Sequence, residues 1–312
     1  MSYIYYNLRD FYASAKDIKK YASVRSEYLG SSFTGEIFKS FWILLNPKRT
    51  ILCYPDRPSI FHVLYKLSAL AGFRLSTNIE RDHEHAVWTH NRTVQDPDEL
   101  NRLQIPRGRI INAACVDTDK RTIGHLFYEI FDTKLDLDPL TWTGSMVKKS
   151  VVNGTNDAIV TEGPISPGEK EEGFVYQKEI DNKNEEGDSV IYRVPVFMDS
   201  VPLVFIKYRS EAHRFRGNYH SVEIADPSDL FTNSELSKIL KMARLIGIEF
   251  GECDVLRDQD DTLYVIDFNN HPGGPPFKMT SEQKKKAGQI LADSFEELFR
   301  EKDDEVRTSN LR

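Results

Sequence analysis

The chain has 312 residues, of which 40% are apolar and 29% are charged, and its formal net charge is −7 at pH 7. These values are typical of a globular enzyme built from two or three closely packed subdomains. The negative balance argues against broad nucleic-acid binding, and no apolar run approaches the roughly 20 residues that cross a bilayer. Three scattered cysteines form neither a disulfide framework nor a metal-spaced set, so we expect a cytoplasmic protein without membrane or nucleic-acid partners.

The first third of the chain predicts a helical start followed by a small α/β domain with a partly parallel sheet. The predicted elements, in chain order, are mostly helical residues 1–45, a strand at 50–56, a helix at 59–71 and short strands at 73–76 and 85–89. His83, His85 and His90 fit no closed zinc template, so we interpret them as surface residues.

The rest of the chain alternates strands with three helices. The predicted elements are a helix at 121–130, a hairpin of strands at 146–152 and 158–162, strands at 173–180, 190–197 and 202–209, a helix at 235–246, strands at 251–258 and 263–269, and a helix at 281–299. Thr232 and Glu235 have the spacing of a capping box, and Gly247 is placed to end the same helix.

The last predicted hairpin brings two aspartates together. If Gln259–Thr262 forms its turn, Asp258 lies opposite Leu263 and Asp254 lies opposite Asp267. Opposed Cβ atoms are about 4.5–5.5 Å apart, so two like charges need compensation, which a hard cation such as Mg²⁺ supplies. The alternative is a register that differs by one residue and sends one aspartate to solvent. The predicted shared face carries Glu252, Asp254, Asp267 and Asn269.

The segment GECDVLRDQDDTLYVIDFNNHPGG, which contains this hairpin, resembles the terminal metal-binding motif of ATP-grasp enzymes. The likeness is greatest to the ribosomal-protein glutamate ligases and the D-alanine–D-alanine ligases, in which an acidic residue on one strand precedes acid-x-Asn and Pro-Gly on the next. The resemblance implies that Asp254, Asp267 and Asn269 bind the metal, although the family usually has glutamate where this chain has Asp267.

Further motifs resemble the same superfamily in the expected order. VDTDKRTIGHLF and MVKKSVVNG resemble its two phosphate-binding segments, which implies that Lys120 and Lys149 contact nucleotide phosphates while Lys148 points to the opposite face. FVYQKEID resembles the segment that reads the adenine base. The residues that this likeness assigns to the base and ribose are Gln177, Lys178, Glu179, Ile180 and Asp181.

The remaining resemblance concerns basic residues. Arg193 in IYRVPVF resembles the arginine that follows the base-reading segment, and Arg216 and Asn218 in FRGNYH resemble an Arg-x-Asn that approaches the phosphates and the reacting acyl group. The basic run from Lys207 to His220 is either a solvated surface or, as the resemblance favours, a surface facing an anionic substrate, with Lys207 in a catalytic role.

The resemblance implies an ATP-grasp fold of the α/β (α+β) class. Its implied parts are a helical and α/β pre-grasp region at 1–113, a central grasp subdomain at 114–182, a C-terminal grasp subdomain at 183–303 and a polar tail at 304–312. The implied cofactors are ATP and Mg²⁺, with Mn²⁺ as an alternative, and the implied substrate is an anionic small molecule or peptide.

The implied reaction is carboxylate–amine ligation through an acyl phosphate. Two alternatives stay open: an ATP-grasp kinase acting on a hydroxyl of a sugar, polyol or similar molecule, and a nucleotide-binding module without catalysis. The presence of Asp254, Asp267 and Asn269 together with both phosphate lysines speaks against the last of these.

Overall fold

The computed structural model describes residues 2–90 and 92–309, and their contacts form two compact units. The first unit contains the chain up to His90, residues Asp98–Ala113 and the chain from His271 onwards, and the second contains the segment ending at Pro97 with Ala114–Asn270. None of the described helices has both the length and the apolar character that a bilayer crossing requires. The division at 113, 182 and 303 stays a prediction.

The secondary structure is mixed α/β. The helices are α1 (Ser2–Leu29), α2 (Phe33–Leu45), α3 (Val63–Ala71), α4 (Lys120–Phe131), α5 (Pro227–Leu230), α6 (Asn233–Ile246) and α7 (Ser281–Ser309). The strands are β1 (Thr50–Tyr54), β2 (Arg74–Ser76), β3 (His85–Trp88), β4 (Ile110–Ile111), β5 (Gly144–Ser150), β6 (Ile159–Gly163), β7 (Phe174–Lys178), β8 (Ser189–Phe197), β9 (Val204–Arg209), β10 (Ser221–Ala225), β11 (Phe250–Arg257) and β12 (Leu263–Asn269). The sequence prediction missed β4, β10 and α5.

The first unit contains a parallel sheet in the order β2-β1-β3-β4, which confirms the predicted α/β arrangement. The interpretation of the histidines was wrong for two of them. His85 is buried at the edge of the Phe299 ring, with Nε2 3.2 Å from Asp303, and His90 is buried against Glu99. Among the described residues, no group of three or more His, Cys, Asp or Glu is placed to hold a metal ion.

Helix α7 continues beyond the predicted end at residue 299. Two contacts of its last turns explain this: Asp303 accepts a hydrogen bond from Arg49 at 2.7 Å, and Lys302 pairs with Glu305 at 3.1 Å. The segment also contains no glycine or proline that would stop a helix. Much of the predicted polar tail is therefore helical, and residues 310–312 lie outside the described part of the chain.

The second unit contains two antiparallel sheets. The smaller has the order β6-β5-β7, and the larger has the order β10-β9-β8-β11-β12. Apolar side chains of α4 and α6, including Phe127 and Met242, pack on one face of the larger sheet against residues such as Val255 and Phe268. With one face occupied by this core, polar side chains of the larger sheet must lie on the other face.

Helix α6 begins and ends as its sequence predicts. Thr232 Oγ1 accepts from the Glu235 N–H at 3.2 Å, and the Glu235 carboxylate accepts from the Thr232 N–H at 2.8 Å. Gly247 ends the helix with φ 85°. A Cβ added there would lie 2.4 Å from the carbonyl carbon of Ala114, so both the conformation and the close approach require glycine.

Replacing Gly247 with alanine is expected to lower the free energy of unfolding by about 2 kcal/mol or more, through left-handed strain and the clash with Ala114. The measurement is the urea midpoint. Gly168→Ala is the control, because an added Cβ at Gly168 meets nothing within 4 Å. Equal midpoints for the two variants would contradict the close approach.

Candidate active site

Two aspartates face each other on the polar side of the larger sheet. Asp254 on β11 lies directly opposite Asp267 on β12, and Glu252 lies opposite Asn269. Because opposed residues share a face, all four side chains belong to the side turned away from the α4–α6 core. The register predicted for the aspartate pair is confirmed.

A β-bulge explains why that register is right although the predicted turn is not. At the turn Leu263 lies opposite Arg257 instead of Asp258, and the pairing shifts by one residue between Asp254 and Val255. Ile266 falls within this shift, and its carbonyl oxygen accepts a hydrogen bond from Nζ of Lys149 at 3.3 Å. The bulge thus directs a backbone acceptor toward a predicted phosphate-binding lysine.

Arg193 on β8 supplies the positive charge nearest to Asp254. Its Nε lies 3.1 Å from Asp254 Oδ1 and 3.2 Å from Glu252 Oε2. Burial alone would raise the pKa of Asp254, but Arg193, Lys207 and Arg209 hold it below its usual range. Burial leaves the pKa of Glu252 raised. Asp254 is therefore held as a carboxylate by neighbouring cations.

Asp267 has a different environment. Burial raises its pKa, and the nearby Lys120 opposes that effect. Lys120 Nζ lies 3.9 Å from Asp267 Oδ1, an atom that is buried and has no hydrogen-bond partner among the described residues. A buried acceptor without a donor is destabilising, and an oxygen opposite a second aspartate suits a hard divalent cation. The pair therefore fits the predicted metal.

Lys120 reaches the site from the start of α4. Asp119 caps the helix by accepting a hydrogen bond from the Arg121 N–H, which places Lys120 in the first turn. Lys120 is buried, and its Nζ donates to the carbonyl of Val152 at 3.2 Å and to Oδ1 of Asn153 at 3.0 Å. These acceptors lie in the turn between β5 and β6, so Lys120 contacts the end of the second segment that resembles a phosphate-binding motif.

Lys149 projects from β5 toward β12, where Ile266 accepts its hydrogen bond. Burial lowers the pKa of Lys149 to about 8. Lys148, the preceding residue, pairs instead with Glu171, and its Nζ lies 4.6 Å from the centre of the Phe174 ring. The two lysines therefore use opposite faces of β5, as predicted.

The basic run divides into buried and exposed residues. Lys207 on β9 is buried, its Nζ lies 5.3 Å from the centre of the Tyr219 ring, and burial with the adjacent Arg193 lowers its pKa. Arg216 and Asn218 are exposed on the loop between β9 and β10, and the described contacts do not join them to the aspartates. The exposed residues agree with a solvated surface, and a catalytic role for Lys207 toward an anionic substrate stays a prediction.

Positive charge exceeds negative charge around the aspartates. The basic side chains are Lys120, Lys149, Arg193, Lys207 and Arg209, and the carboxylates are Asp136, Glu252, Asp254 and Asp267. Within a shielded environment such a surplus favours an anionic ligand. The pair of facing aspartates and the surrounding cations together suit a metal-bound polyphosphate.

The predicted base-reading segment is held by its side chains. Gln177 is buried and donates to Asp136 Oδ1 at 2.8 Å, and Lys178 Nζ donates to the Tyr264 hydroxyl at 2.6 Å. Glu179 accepts from Arg214 at 2.6 Å. Asp181 is exposed. Asp136 thus engages the amide nitrogen of Gln177, and the base-reading role of this segment stays a prediction.

Sequence reasoning missed three residues that hold this segment, namely Asp136, Arg214 and Tyr264. One signal was available: Gly124 interrupts the amphipathic helix α4, and a Cβ there would lie 2.1 Å from Asp136 Oδ2. The glycine makes room for the carboxylate that binds Gln177. Arg214 and Tyr264 had no such local signal.

No protein-family model matches the sequence. No curated protein matches it either. Among solved structures, the chain is similar to the ATP-grasp ligase PsnB complexed with a minimal precursor, at 15% identity over 60% of this chain and 64% of PsnB, with a TM-score of 0.40. It therefore spans less than two thirds of the length of PsnB.

Two further solved structures are similar over more of the chain. One is a RimK-domain ATP-grasp protein from Sphaerobacter thermophilus, with 14% identity, coverage of 78% of this chain and 98% of that chain, and a TM-score of 0.47. The other is the D-alanine–D-alanine ligase from Bacillus anthracis, with 13% identity, coverage of 82% and 99%, and a TM-score of 0.47. These are likenesses of fold. PsnB and the Bacillus anthracis protein are ligases.

The lowered pKa of Lys149 predicts an unusual pH dependence of stability. An unfolded lysine titrates near 10.4, so between about pH 8 and that value the unfolded chain binds more protons and stability rises with pH. Below pH 8 the buried cation costs stability in full. Lys149→Met removes this cost but also removes the hydrogen bond to Ile266. Its net effect at pH 7 should be to raise the free energy of unfolding by on the order of 1 kcal/mol.

The measurement is urea unfolding at pH 7 and pH 9.5 without ligand. The gain from Lys149→Met should shrink at the higher pH, where the wild-type lysine is largely neutral. Lys148→Met, on the opposite face of β5, is the control and should show no such trend. A stability gain of Lys149→Met over wild type that is larger at pH 9.5 than at pH 7 would contradict the lowered pKa of Lys149.

Removing Arg193 should leave two buried carboxylates without their nearest cation. Arg193→Met is expected to lower the free energy of unfolding at pH 7 by about 3 kcal/mol. The pKa of Asp254 would then rise above its unfolded value and the raised pKa of Glu252 would rise further, so the loss should grow as pH rises and diminish in acid. Urea unfolding at pH 5 and pH 7 measures this.

Arg244→Met is the matched control, because Arg244 makes an exposed ion pair with Asp199 at 2.6 Å. That change should cost less than about 1 kcal/mol. A similar, pH-independent loss in both variants would show that Arg193 acts through packing alone.

Proposed function

We propose that this chain is an ATP-grasp enzyme that uses Mg–ATP to join a carboxylate to an amine. The observation that supports this best is the Asp254–Asp267 pair, in which Asp267 Oδ1 is buried without a donor in the described part of the chain and buried cations surround both residues. Carboxylates placed so close favour a divalent cation, and surplus positive charge favours the phosphates that accompany it.

Three residues would hold the metal: Asp254, Asp267 and Asn269. When bound, Mg²⁺ neutralises charge on the transferred phosphoryl group and orients it. Lys120 and Lys149 would bind the phosphates. Lys120 already donates to Asn153 in the β5–β6 turn, and Lys149 donates to the Ile266 carbonyl of β12. These lysines act as point charges with rotatable donors, which suits contacts to phosphate oxygens.

The reaction proposed for the substrate is attack of its carboxylate on the γ-phosphorus of ATP. The resulting acyl phosphate is captured by an amine, and ADP and inorganic phosphate leave. Arg193 and Lys207 would stabilise the negative charge that develops, because both are fixed beside Asp254 in a shielded environment. The residues thus contribute positioning and electrostatics without covalent catalysis.

The segment 177–181 would bind the nucleotide base through its backbone, with Asp181 near the ribose. The exposed Arg216 and Asn218 would contact phosphates or the acyl group once a ligand is bound. The anionic donor that this basic surface suits is a small carboxylic acid or a peptide with a free carboxylate. Cys53, Cys115 and Cys253 are buried, and the proposed location is the cytoplasm.

A thermal-shift titration tests the nucleotide–metal site. ATP with Mg²⁺, at about 100 times its dissociation constant, should add about 2.7 kcal/mol of stability, which raises the melting temperature by about 5–10 °C. Asp267→Asn should lose most of the Mg²⁺-dependent part. Asp260→Asn is the control, because Asp260 lies exposed in the turn of the same hairpin.

Phosphate release in the presence of candidate carboxylate donors and amines then tests the chemistry. Release that requires both substrates supports ligation. A phosphorylated hydroxyl product without free phosphate would identify a kinase instead. A melting temperature that does not change with any nucleotide would contradict the proposal that the chain is an ATP-dependent enzyme.

A further inference from the structure

Arg214 joins the loop between β9 and β10 to the proposed base-reading segment. Its side chain is buried, and its guanidinium makes two hydrogen bonds to consecutive residues. One nitrogen donates to Glu179 Oε1 at 2.6 Å, and the other donates to the backbone carbonyl of Ile180. A planar guanidinium fixes two acceptors at once, which a flexible ammonium cannot do.

The same arginine is connected to the polar face of the larger sheet. Its backbone carbonyl accepts a hydrogen bond at 3.1 Å from Arg209, whose positive charge helps to hold Asp254 ionised. Arg214 therefore stands between the residues proposed for the phosphates and those proposed for the base. Neither the motif resemblance nor the basic run assigns it this place.

We propose that Arg214 is a positioning residue that sets the base preference of the nucleotide site, an inference that rests on the proposed function. A carbonyl oxygen has two lone pairs, and Arg214 occupies one at Ile180. The other lone pair would face the base once Arg214 has fixed the carbonyl, and a carbonyl oxygen can only accept. Such an acceptor favours a purine whose 6-substituent donates, as the amino group of adenine does, over one with a 6-oxo group.

The probes are ATP and ITP, whose bases differ in having a 6-amino or a 6-oxo group. Wild-type protein with Mg²⁺ should bind ATP about tenfold or more tightly than ITP, because ITP places an acceptor against an acceptor. Arg214→Met should weaken ATP binding and bring the two dissociation constants to within about threefold. Calorimetric titration measures both constants.

Two further variants separate positioning from general stability. Arg214→Lys keeps the positive charge but loses the planar guanidinium, so its preference for ATP over ITP should fall as well. It replaces the methionine variant if that variant does not fold. Arg257→Met is the matched control: Arg257 also forks between a carboxylate, Glu235 at 3.0 Å, and a backbone carbonyl, that of Leu230 at 2.9 Å. It should lose stability but keep the wild-type ratio.

The outcomes separate this inference from the proposed function. Wild-type protein that binds neither nucleotide would overturn both. Binding of ATP with a wild-type ratio in both Arg214 variants would overturn the inference alone. Tighter ATP binding by Arg214→Met would also overturn it, because the arginine would then compete with the base instead of orienting its acceptor.

Discussion

The arrangement of charged side chains in the second unit depends on how two facing aspartates on one sheet are compensated. Asp254 and Asp267 lie opposite each other on neighbouring strands, where like charges repel. Arg193 compensates Asp254 at 3.1 Å, whereas the ion pair described for Asp267, with Lys120, is longer at 3.9 Å. Oδ1 of Asp267 is therefore buried without a donor from any described residue. The proposed metal and nucleotide site rests on that imbalance.

The cations that surround the pair come from separate elements of the second unit. Arg193 and Lys207 belong to the larger sheet, Lys149 belongs to the smaller sheet, and Lys120 begins α4. Each is positioned by a local feature: strand alternation for the first two, a bulge carbonyl for Lys149, and the Asp119 cap for Lys120. Burying these charges opposes stability, so their convergence favours a role in binding anions.

Several features of the fold and site could be predicted because they depend on short-range patterns. The capping box and terminal glycine of α6 were both correct, and two strands joined by a short turn place Asp254 near Asp267. The turn itself was misplaced by one residue, and the bulge at Ile266 compensated for it. The extension of α7 was missed because Asp303 is held by Arg49, a residue far away in the chain.

The sequence by itself determined the strand pattern of the last hairpin, the shared face of its carboxylates and the opposite faces of Lys148 and Lys149, because alternation along a strand is a local property. Tertiary structure alone decided which basic residues are buried and what holds the base-reading segment. Arg214 and Arg216 are two residues apart in one loop, yet only Arg214 reaches Glu179 and Ile180. That choice depends on how the loop between β9 and β10 folds over the end of β7, which no local pattern encodes.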